Sequence, residues 1–305
     1  MLSLNASVTT NWFDAEKSMK RNLLGEIQQR MPAFSKSQKL ISEYILENYD
    51  KAAYMTASKL GSTVKVSEST VVRYAIELGF EGYPEFQHSL QEIVRTKLTS
   101  FQRMEVTNSL IGDGDVLTKV LMSDIYKIKR TVEEIDRAAF DEAVEKLISA
   151  KHIYILGLGS ASVLARALNH SLRMMFDEIK FIMATSATEI YEQMISIGEG
   201  DVIIAISFPR YSKKVVNAVA FAKKSGADVI ALTDSEASPI SHYADQKLYA
   251  RSDMASFSDS LVAPLSVINA LVVAVSRKKQ DELTVRLHQL EKIWDEFNVY
   301  DTNQE

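Results

Sequence analysis

Apolar residues recur at helical spacing through the first hundred residues of the chain. After the helix start signal FSKSQ, apolar side chains return three and four positions apart, and further helical segments follow as TASKLG, SESTVVRYAIELG and YPEFQHSLQEIV. Pro84 comes at the start of the last segment, where a first helical turn tolerates proline because its N–H would have no helical acceptor. The pattern therefore predicts an all-α module over about residues 21–98.

The second half of the chain alternates between short apolar runs and helical segments. The runs are rich in isoleucine and valine, which is typical of strands buried on both faces. They are HIYILGLG (152–159), KFIMATS (180–186), DVIIAISF (201–208), ADVIALTD (227–234) and a fifth, QKLYA (246–250). Buried strands separated by helices indicate a parallel sheet with right-handed crossovers. We therefore expect a three-layer, doubly wound α/β domain behind the helical one.

Within the helical half, the segment ASKLGSTVKVSESTVVRY has the apolar spacing of a helix-turn-helix. Leu60 falls inside the first helix, and Gly61 is the small residue expected where the two helices cross. Val71 and Tyr74 fall on the inner face of the second helix. Lys65 occupies the turn position where glycine is usual, so the backbone there is expected to be strained. An ordinary helical hairpin whose second helix begins with hydroxyl residues is the alternative interpretation.

A polar set with few carboxylates remains at the leading end of the second helix. Ser67 is predicted to cap this helix. Hydroxyls there can bond bases or phosphates, the helix dipole favours phosphate, and arginine can pair with guanine. Glu68 is the one carboxylate at this end and would repel the DNA backbone, unless it accepts a hydrogen bond from a cytosine amino group. The predicted DNA-contacting residues are Lys65, Ser67, Ser69, Thr70 and Arg73.

The remaining segments complete the predicted organisation. A polar stretch, TNSLIGDGD at 107–115, contains Gly112 and Gly114 and predicts a hinge. The apolar stretch FSDSLVAPLSVINALVVAV predicts a helix packed between the core and a subunit interface. The predicted segments are a helix-turn-helix domain over 1–106, a linker with a connecting helix over 107–135, the α/β domain over 136–280 and a C-terminal helix over 281–305.

Composition and charge narrow the class of protein. The 305 residues carry a net charge of −5, but residues 1–110 have 13 Lys and Arg against 12 Asp and Glu, while the remaining 195 have 22 against 28. Binding to a polyanion therefore belongs to the N-terminal half. The absence of cysteine excludes disulfides and cysteine-ligated zinc. With no signal-peptide pattern and no run of about 18 apolar residues, we expect a cytoplasmic protein without a membrane anchor.

Hydroxyl residues crowd the carboxyl ends of the predicted strands, where open parallel sheets bind their ligands. Such a lining suits a polyhydroxylated or phosphorylated small molecule. A nicotinamide cofactor is not expected, because GLGSAS lacks the third glycine of the dinucleotide fingerprint and the second strand ends without an acidic residue. No cofactor is predicted. The predicted ligand-binding residues are Ser160, Ser162, Ser186, Ser207, Arg210, Tyr211 and Ser212.

The run MTASKLGSTVKVSESTVVRYAIELGFEGYPEFQ resembles the DNA-binding module of the ribose-phosphate-isomerase-repressor (RpiR) family of bacterial regulators. The alternating half resembles the sugar isomerase (SIS) domain that usually follows it, so the resemblance covers about residues 25–290. It implies a DNA-binding transcriptional regulator of carbohydrate catabolism. The implied partners are operator DNA, a sugar phosphate or related metabolite as effector, and further copies of the chain in a homodimer or homotetramer.

One loop departs from the family pattern. SIS domains commonly carry Ser-x-Ser-Gly-x-Thr after the third strand, whereas this chain has SFPRYS, with Pro209 for the middle serine and Arg210 for the glycine. Backbone cradling of a phosphate is weakened, while the Arg210 guanidinium can replace it. The ligand is then an anion bound differently, or an uncharged polyol or sugar acid. Alternatively, Arg210, Lys213 and Lys214 only solvate the start of a helix.

No catalytic residue and no metal site are predicted. Aldose–ketose isomerisation needs a positioned acid and base, for which Glu189, His170 and His242 are the candidates, and each also has an ordinary structural interpretation. The five histidines have no metal-ligand spacing with carboxylates. Two alternatives to a ligand-sensing regulator stay open. One is a sugar-phosphate isomerase with an appended helical domain, and the other is a regulator whose SIS domain is only a dimerisation scaffold.

Overall fold

A computed structural model describes residues 23–97, 99–111, 114–253, 256 and 258–300. The chain divides into two compact units, Met1–Gln102 and Arg103–Glu305. Residues 1–22, on which the expected absence of a signal peptide rests, and Gly112 of the predicted hinge lie outside the described residues. The boundaries predicted at 106, 135 and 280 remain predictions.

The first unit is helical, as its periodicity predicts, and three of its described helices begin at hydroxyl caps. Ser35 and Gln38 form a reciprocal capping box, and Thr56 and Ser67 each accept a hydrogen bond from the backbone N–H three residues on. These bonds satisfy N–H groups that have no partner within the helix. The helices are α1 (Leu23–Arg30), α2 (Lys36–Ala52), α3 (Ala57–Thr63), α4 (Glu68–Glu77) and α5 (Tyr83–Lys97).

Tyr74 of α4 lies at the centre of the core of this unit. Its ring makes edge-to-face contacts with Phe34, at 5.5 Å between centroids, and with Phe86, at 5.9 Å. Its hydroxyl lies 2.8 Å from the Ser42 hydroxyl, so the polar end of a fully buried side chain has a partner. Burial raises the pKa of Tyr74 to about 12. The inner face of α4 is therefore fixed to α2 and α5.

The second unit alternates helices and strands. Its first elements are α6 (Ser100–Ile111), which begins in the first unit, α7 (Val116–Glu134), α8 (Arg137–Ser149), β1 (Ile153–Gly157), α9 (Ala161–Leu172), β2 (Ile179–Ile182) and α10 (Ala187–Met194). The later elements are β3 (Val202–Ile206), α11 (Lys213–Lys224), β4 (Asp228–Thr233), β5 (Gln246–Tyr249), α12 (Val262–Lys278) and α13 (Gln280–Glu296). All five predicted strands are present.

The five strands form one parallel sheet in the order β2-β1-β3-β4-β5. Every residue of β1 and β3 is buried, because helices cover both faces. One core joins the sheet to α8, α9 and α12, and a second joins its other face to α10 and α11. The predicted three-layer, doubly wound fold is confirmed.

The second strand is shorter than its apolar run suggests. The apolar run covers residues 180–186, whereas β2 spans Ile179–Ile182, and 183–186 form the loop that leads into α10. Ser186 caps that helix by accepting a hydrogen bond from the Glu189 N–H at 3.2 Å. Hydroxyls predicted at the strand end therefore lie in a loop at the sheet edge.

The last two helices bury different amounts of apolar surface. Helix α12 buries Val267, Ile268 and Leu271 against the sheet but exposes Val273. Helix α13 has no fully buried residue, although Leu283 packs against the core. Within the described ranges, no helix is both long enough and apolar enough to cross a membrane.

Candidate functional site

The crossing of α3 and α4 explains the glycine of the helix-turn-helix. A Cβ on Gly61 would lie 2.9 Å from the Val66 carbonyl oxygen, so only glycine lets the two backbones approach this closely. The Gly61 carbonyl accepts from the Val66 N–H at 2.8 Å and closes the turn. Lys65 has φ +58, the left-handed conformation expected for a lysine in a glycine position. The turn therefore has the predicted geometry.

The leading end of α4 is exposed and rich in hydroxyls. The Ser67 hydroxyl accepts from the Thr70 N–H at 3.2 Å and lies within 2.9 Å of the hydroxyls of Ser69 and Thr70. Arg73 is exposed, and its Nε donates to the Ser69 carbonyl at 3.3 Å. Lys65 is exposed beside this cap. The five residues predicted to contact DNA therefore lie on one continuous surface, while Val71 and Tyr74 are buried behind it.

A second exposed set, at the start of α3, was not predicted from the sequence. Thr56 caps α3 by accepting from the Lys59 N–H at 3.1 Å, and the side chains of Thr56, Ser58 and Lys59 are exposed. Helix starts concentrate free N–H groups and the positive end of the dipole. The cap position before ASKLG is the signal that identifies this set.

In the second unit, the strand order reverses between β1 and β3, and ligands of doubly wound sheets bind at the carboxyl end of this reversal. After β1, Gly159 takes φ +61, and the Ser162 hydroxyl donates to its carbonyl at 2.7 Å. Ser160 is exposed at the start of α9 and its side chain makes no capping bond.

The loop after β3 lies at the same edge of the sheet. Arg210 has φ +62, so the residue in the family's glycine position keeps a glycine-like backbone conformation. The Tyr211 hydroxyl donates to the buried Asp234 carboxylate at 2.8 Å. Ser207 is only 3% exposed, and its carbonyl accepts from the Thr233 hydroxyl at 2.6 Å. Ser212 precedes α11 without capping it.

A lysine links the loop after β2 to the start of α11. Lys214 at the start of α11 donates to the Thr185 carbonyl at 3.0 Å, linking two loops of the edge. Glu189 accepts from the Thr185 N–H at 2.8 Å and from its hydroxyl at 3.0 Å. The backbone bond from Thr185 is the main cause that lowers the pKa of Glu189. The folding stability that this lowered pKa contributes is present at neutral pH and is lost as the pH falls through the lowered pKa.

The predicted ligand residues thus share one edge of the sheet but differ in exposure. Ser160 and Arg210 are exposed, Ser162, Ser186, Tyr211 and Ser212 are half-buried, and Ser207 is buried. Their role in binding stays a prediction. Two contacts in this edge, that of the buried Asp234 with Tyr211 and that of Lys214 with the Thr185 carbonyl, could not be predicted from the sequence, because each joins residues on different loops.

Two family models match the chain in this order. The rpiR-family helix-turn-helix domain matches residues 21–97, and the SIS domain matches residues 146–274. The chain belongs to the RpiR family of helix-turn-helix regulators. The resemblance noted in the sequence is confirmed, and the match to each model includes one of the two sites described above.

Relatives of this RpiR-family chain are named as transcriptional regulators. It is 28% identical over 231 residues to an uncharacterised HTH-type transcriptional regulator of Haemophilus influenzae, covering 74% of this chain and 79% of the relative. It is 24% identical over 278 residues to the HTH-type transcriptional regulator HexR of Pseudomonas aeruginosa, covering 89% and 95%.

Two solved structures are similar in fold to the chain. Vibrio vulnificus NanR, in complex with ManNAc-6P, has a TM-score of 0.57 at 24% identity, over 90% of this chain and 99% of NanR. The sugar isomerase domain of an RpiR transcription factor from Sphaerobacter thermophilus has a TM-score of 0.55 at 26% identity, over 57% of this chain and 97% of that domain. These likenesses support the fold assigned to the RpiR-family chain.

Proposed function

We propose that the chain binds operator DNA through α3 and α4 and that a sugar phosphate or related sugar metabolite at the sheet edge changes its operator affinity. The observation that carries the proposal is the exposed, hydroxyl-rich end of α4 above a fully buried inner face. In a major groove, this end presents a guanidinium to base edges and hydroxyls to bases or phosphates. Family membership and the names of the relatives support the same role.

Helices α3 and α4 have different roles in the proposed DNA contact. The first helix of such a motif crosses the phosphate backbone, and the second enters the groove. The exposed start of α3, with Thr56, Ser58 and Lys59, suits phosphate contacts. Lys65 in the turn adds a cation beside the cap of α4. Arg73 is then the residue placed to read a base.

Replacing Arg73 with alanine is expected to weaken specific operator binding by about 1 to 3 kcal/mol, roughly 5- to 150-fold, and to relax the choice of base at one position. Fluorescence anisotropy on an operator selected from genomic DNA, and on its single-base variants, measures both effects. Lys51→Ala is the matched control, since Lys51 is an exposed cation on α2 away from the leading end of α4. An unchanged affinity and base preference would remove Arg73 from recognition.

Dimerisation is proposed to use a stripe of apolar residues on α7. Its members lie four, four, three and four residues apart, the spacing of a helix packing seam, and four of them are more than half exposed. They are Leu117, Leu121, Ile125, Ile128 and Val132. Beside Ile128 and Val132, a mostly apolar groove of about 350 Å³ lies between α7, α8 and α12. A second copy with the same stripe fits this surface, and a two-fold dimer suits a palindromic operator.

The sheet edge supports a phosphorylated or hydroxylated effector. Its exposed and half-buried hydroxyls belong to Ser160, Ser186 and Ser212, and the exposed cations Arg210 and Lys213 flank them. Such groups bond sugar oxygens and phosphate alike. NanR, whose solved structure contains ManNAc-6P, has the same fold. Because Arg210 is an exposed arginine in the loop after β3, and a guanidinium pairs well with phosphate, we assign the anion contact to its side chain.

Two variants separate the backbone conformation of Arg210 from its charge. Arg210→Ala and Arg210→Gly both remove the guanidinium, so both are expected to lower the affinity for an anionic effector roughly 10- to 150-fold, as loss of a charged hydrogen bond of about 1.5 to 3 kcal/mol implies. The glycine variant is expected to be more stable than the alanine variant by about 1 to 2 kcal/mol, because only alanine is strained at φ +62.

Thermal unfolding and calorimetric titration measure these two effects of the Arg210 variants. The ligands tested are inorganic phosphate, glucose 6-phosphate and N-acetylmannosamine 6-phosphate, with uncharged polyols and sugar acids beside them. Equal affinity of wild type and both variants for a bound sugar phosphate would exclude Arg210 from the anion site. If no metabolite stabilises the wild type, the SIS domain is a dimerisation scaffold.

The geometry favours regulation over isomerase catalysis. Glu189, a candidate base, is tied to the Thr185 N–H and hydroxyl, and its pKa is lowered rather than brought toward neutrality. His170 and His242 are exposed on α9 and in the short 3-10 helix Ser241–Tyr243. Incubation with aldose and ketose phosphates tests the alternative: turnover without operator binding would establish an isomerase.

A further inference from the structure

The loop between β5 and α12 holds both helices that lead from the DNA-binding unit to the α/β unit. This β5–α12 loop, of which residues 250–253, 256 and 258–261 are described, leaves the sheet at the same edge as the predicted effector residues, because all five strands are parallel. We propose that the β5–α12 loop is the coupling element that transmits effector occupancy to α6 and α7. The proposal rests on the proposed function and specifies how its effector edge regulates DNA binding.

Polar contacts join the loop to α7. The Arg251 N–H donates to the Thr131 hydroxyl at 2.9 Å, and the Arg251 guanidinium pairs with Glu134 at 2.5 Å. Nearer the start of the helix, the Ser260 hydroxyl donates to the Asp124 carboxylate at 2.7 Å. Two turns of α7 are thus bound to the loop by hydrogen bonds.

A buried lysine completes this contact. The Lys127 ammonium lies 3.2 Å from the same Asp124 carboxylate and 2.8 Å from the Ser123 hydroxyl, with its side chain only 3% exposed. A buried ammonium is costly unless its partners stay in place. Moving Ser260 away from Asp124 would therefore alter the carboxylate that neutralises the buried Lys127 ammonium.

A buried ion pair joins the loop to α6. Arg103 and Asp259 form a salt bridge although they are 156 positions apart, and their side chains are 3% and 5% exposed. The Thr107 hydroxyl, one turn further along α6, donates to the Ser256 carbonyl at 3.5 Å. The loop therefore contacts both helices at once.

A path of hydrogen bonds and adjacent backbone residues connects this loop to the predicted effector residues. The Tyr211 hydroxyl bonds Asp234, and the neighbouring Thr233 carbonyl accepts from the Ala250 N–H at 2.8 Å. The next residue, Arg251, donates to Thr131 of α7. A change at Tyr211 on ligand binding thus reaches α7 through backbone groups at the ends of β4 and β5.

The polar nature of the contact is what favours coupling over simple packing. Apolar residues would join a loop and two helices with less desolvation cost, whereas a buried charge is stable only in arrangements that keep its partners in place. A loop held in this way switches between distinct arrangements rather than deforming gradually. An effector that prefers one arrangement therefore shifts the position of α6 and α7.

The test compares amide hydrogen exchange in the full chain with and without operator DNA, since a ligand at one coupled site must affect the other. The probe is a DNA duplex selected from the genome. In the wild type, DNA is expected to protect α3 and α4 and to change exchange at least threefold in residues 250–261. The variant Thr131→Val with Ser260→Ala removes only two hydroxyls of the loop contact, so it is expected to fold, which circular dichroism checks.

In that double variant, we expect protection of α3 and α4 to persist while the change in the β5–α12 loop is lost. Arg286→Ala is the control, because it breaks an exposed ion pair with Asp177 and leaves the loop contacts intact. Two outcomes overturn the proposal: wild-type DNA binding with no change in the loop, or a double variant that responds as the wild type does. Absence of protection in α3 and α4 would instead refute DNA binding itself, and the coupling with it.

Discussion

Replacing Gly61 with valine is expected to abolish operator binding and to lower the melting temperature of the helical unit. Any Cβ at this position lies 2.9 Å from the Val66 carbonyl oxygen and 3.4 Å from the Glu68 nitrogen. Both are backbone atoms of the turn, so neither can rotate away. The branched side chain must push α4 away from α3, and the start of α4 then no longer matches a groove.

The size of this effect follows from overpacking in a small unit. Forcing extra carbon atoms into such a contact costs about 1 to 3 kcal/mol, and each kcal/mol lowers the melting temperature of a unit of this size by about 4 to 8 °C. Circular dichroism melts and anisotropy measure stability and binding. Gly82→Ala is the matched control, since a Cβ there meets only Pro84 Cδ at an ordinary 3.6 Å. Wild-type affinity in Gly61→Val would contradict the helix crossing.

Replacing both Leu121 and Ile125 with glutamate is expected to produce a monomer. The two side chains are 53% and 57% exposed in a single chain, so charges there leave its own core intact but place four carboxylates in a two-fold interface. A monomer binds one half-site at a time and loses the affinity that a dimer gains by binding both half-sites together. Operator affinity is therefore expected to fall about 10²- to 10⁴-fold.

Sedimentation and anisotropy on operators with one or two half-sites separate loss of the dimer from loss of DNA contacts. The monomeric variant should bind a single half-site as the wild type binds it. Val285→Glu, on α13 and 61% exposed, is the control for an added charge on an apolar surface. A variant that remains dimeric, or a Val285→Glu protein that becomes monomeric, would place the interface away from α7.

The fold was predictable where local spacing decides it. Leu60, Gly61, Val71 and Tyr74 lie within one short segment, and their periodicity is sufficient to predict the helix-turn-helix. Strands buried on both faces are equally visible as apolar runs. Where β2 ends was less clear, because the apolar residues continue through Met183 and Ala184 after the strand ends at Ile182.

The candidate site was predictable only in part, for a different reason. Parallel topology places the strand ends together, so the hydroxyl residues of the edge could be named from the sequence. The burial of Ser207 could not be predicted, since it depends on contacts with the neighbouring strand β4. The pairing of Arg103 with Asp259 is harder still to predict from the sequence, because no local pattern relates residues 156 positions apart.

The buried pair of Arg103 and Asp259 also sets the shortest useful form of a separately expressed effector domain. A fragment starting at the predicted boundary of residue 107 would omit the guanidinium and leave the Asp259 carboxylate in a nearly water-free environment without that countercharge. A fragment starting at Thr99 keeps the whole of α6 with the α/β fold. Crystallisation and ligand screening of the isolated domain should therefore begin from the longer fragment.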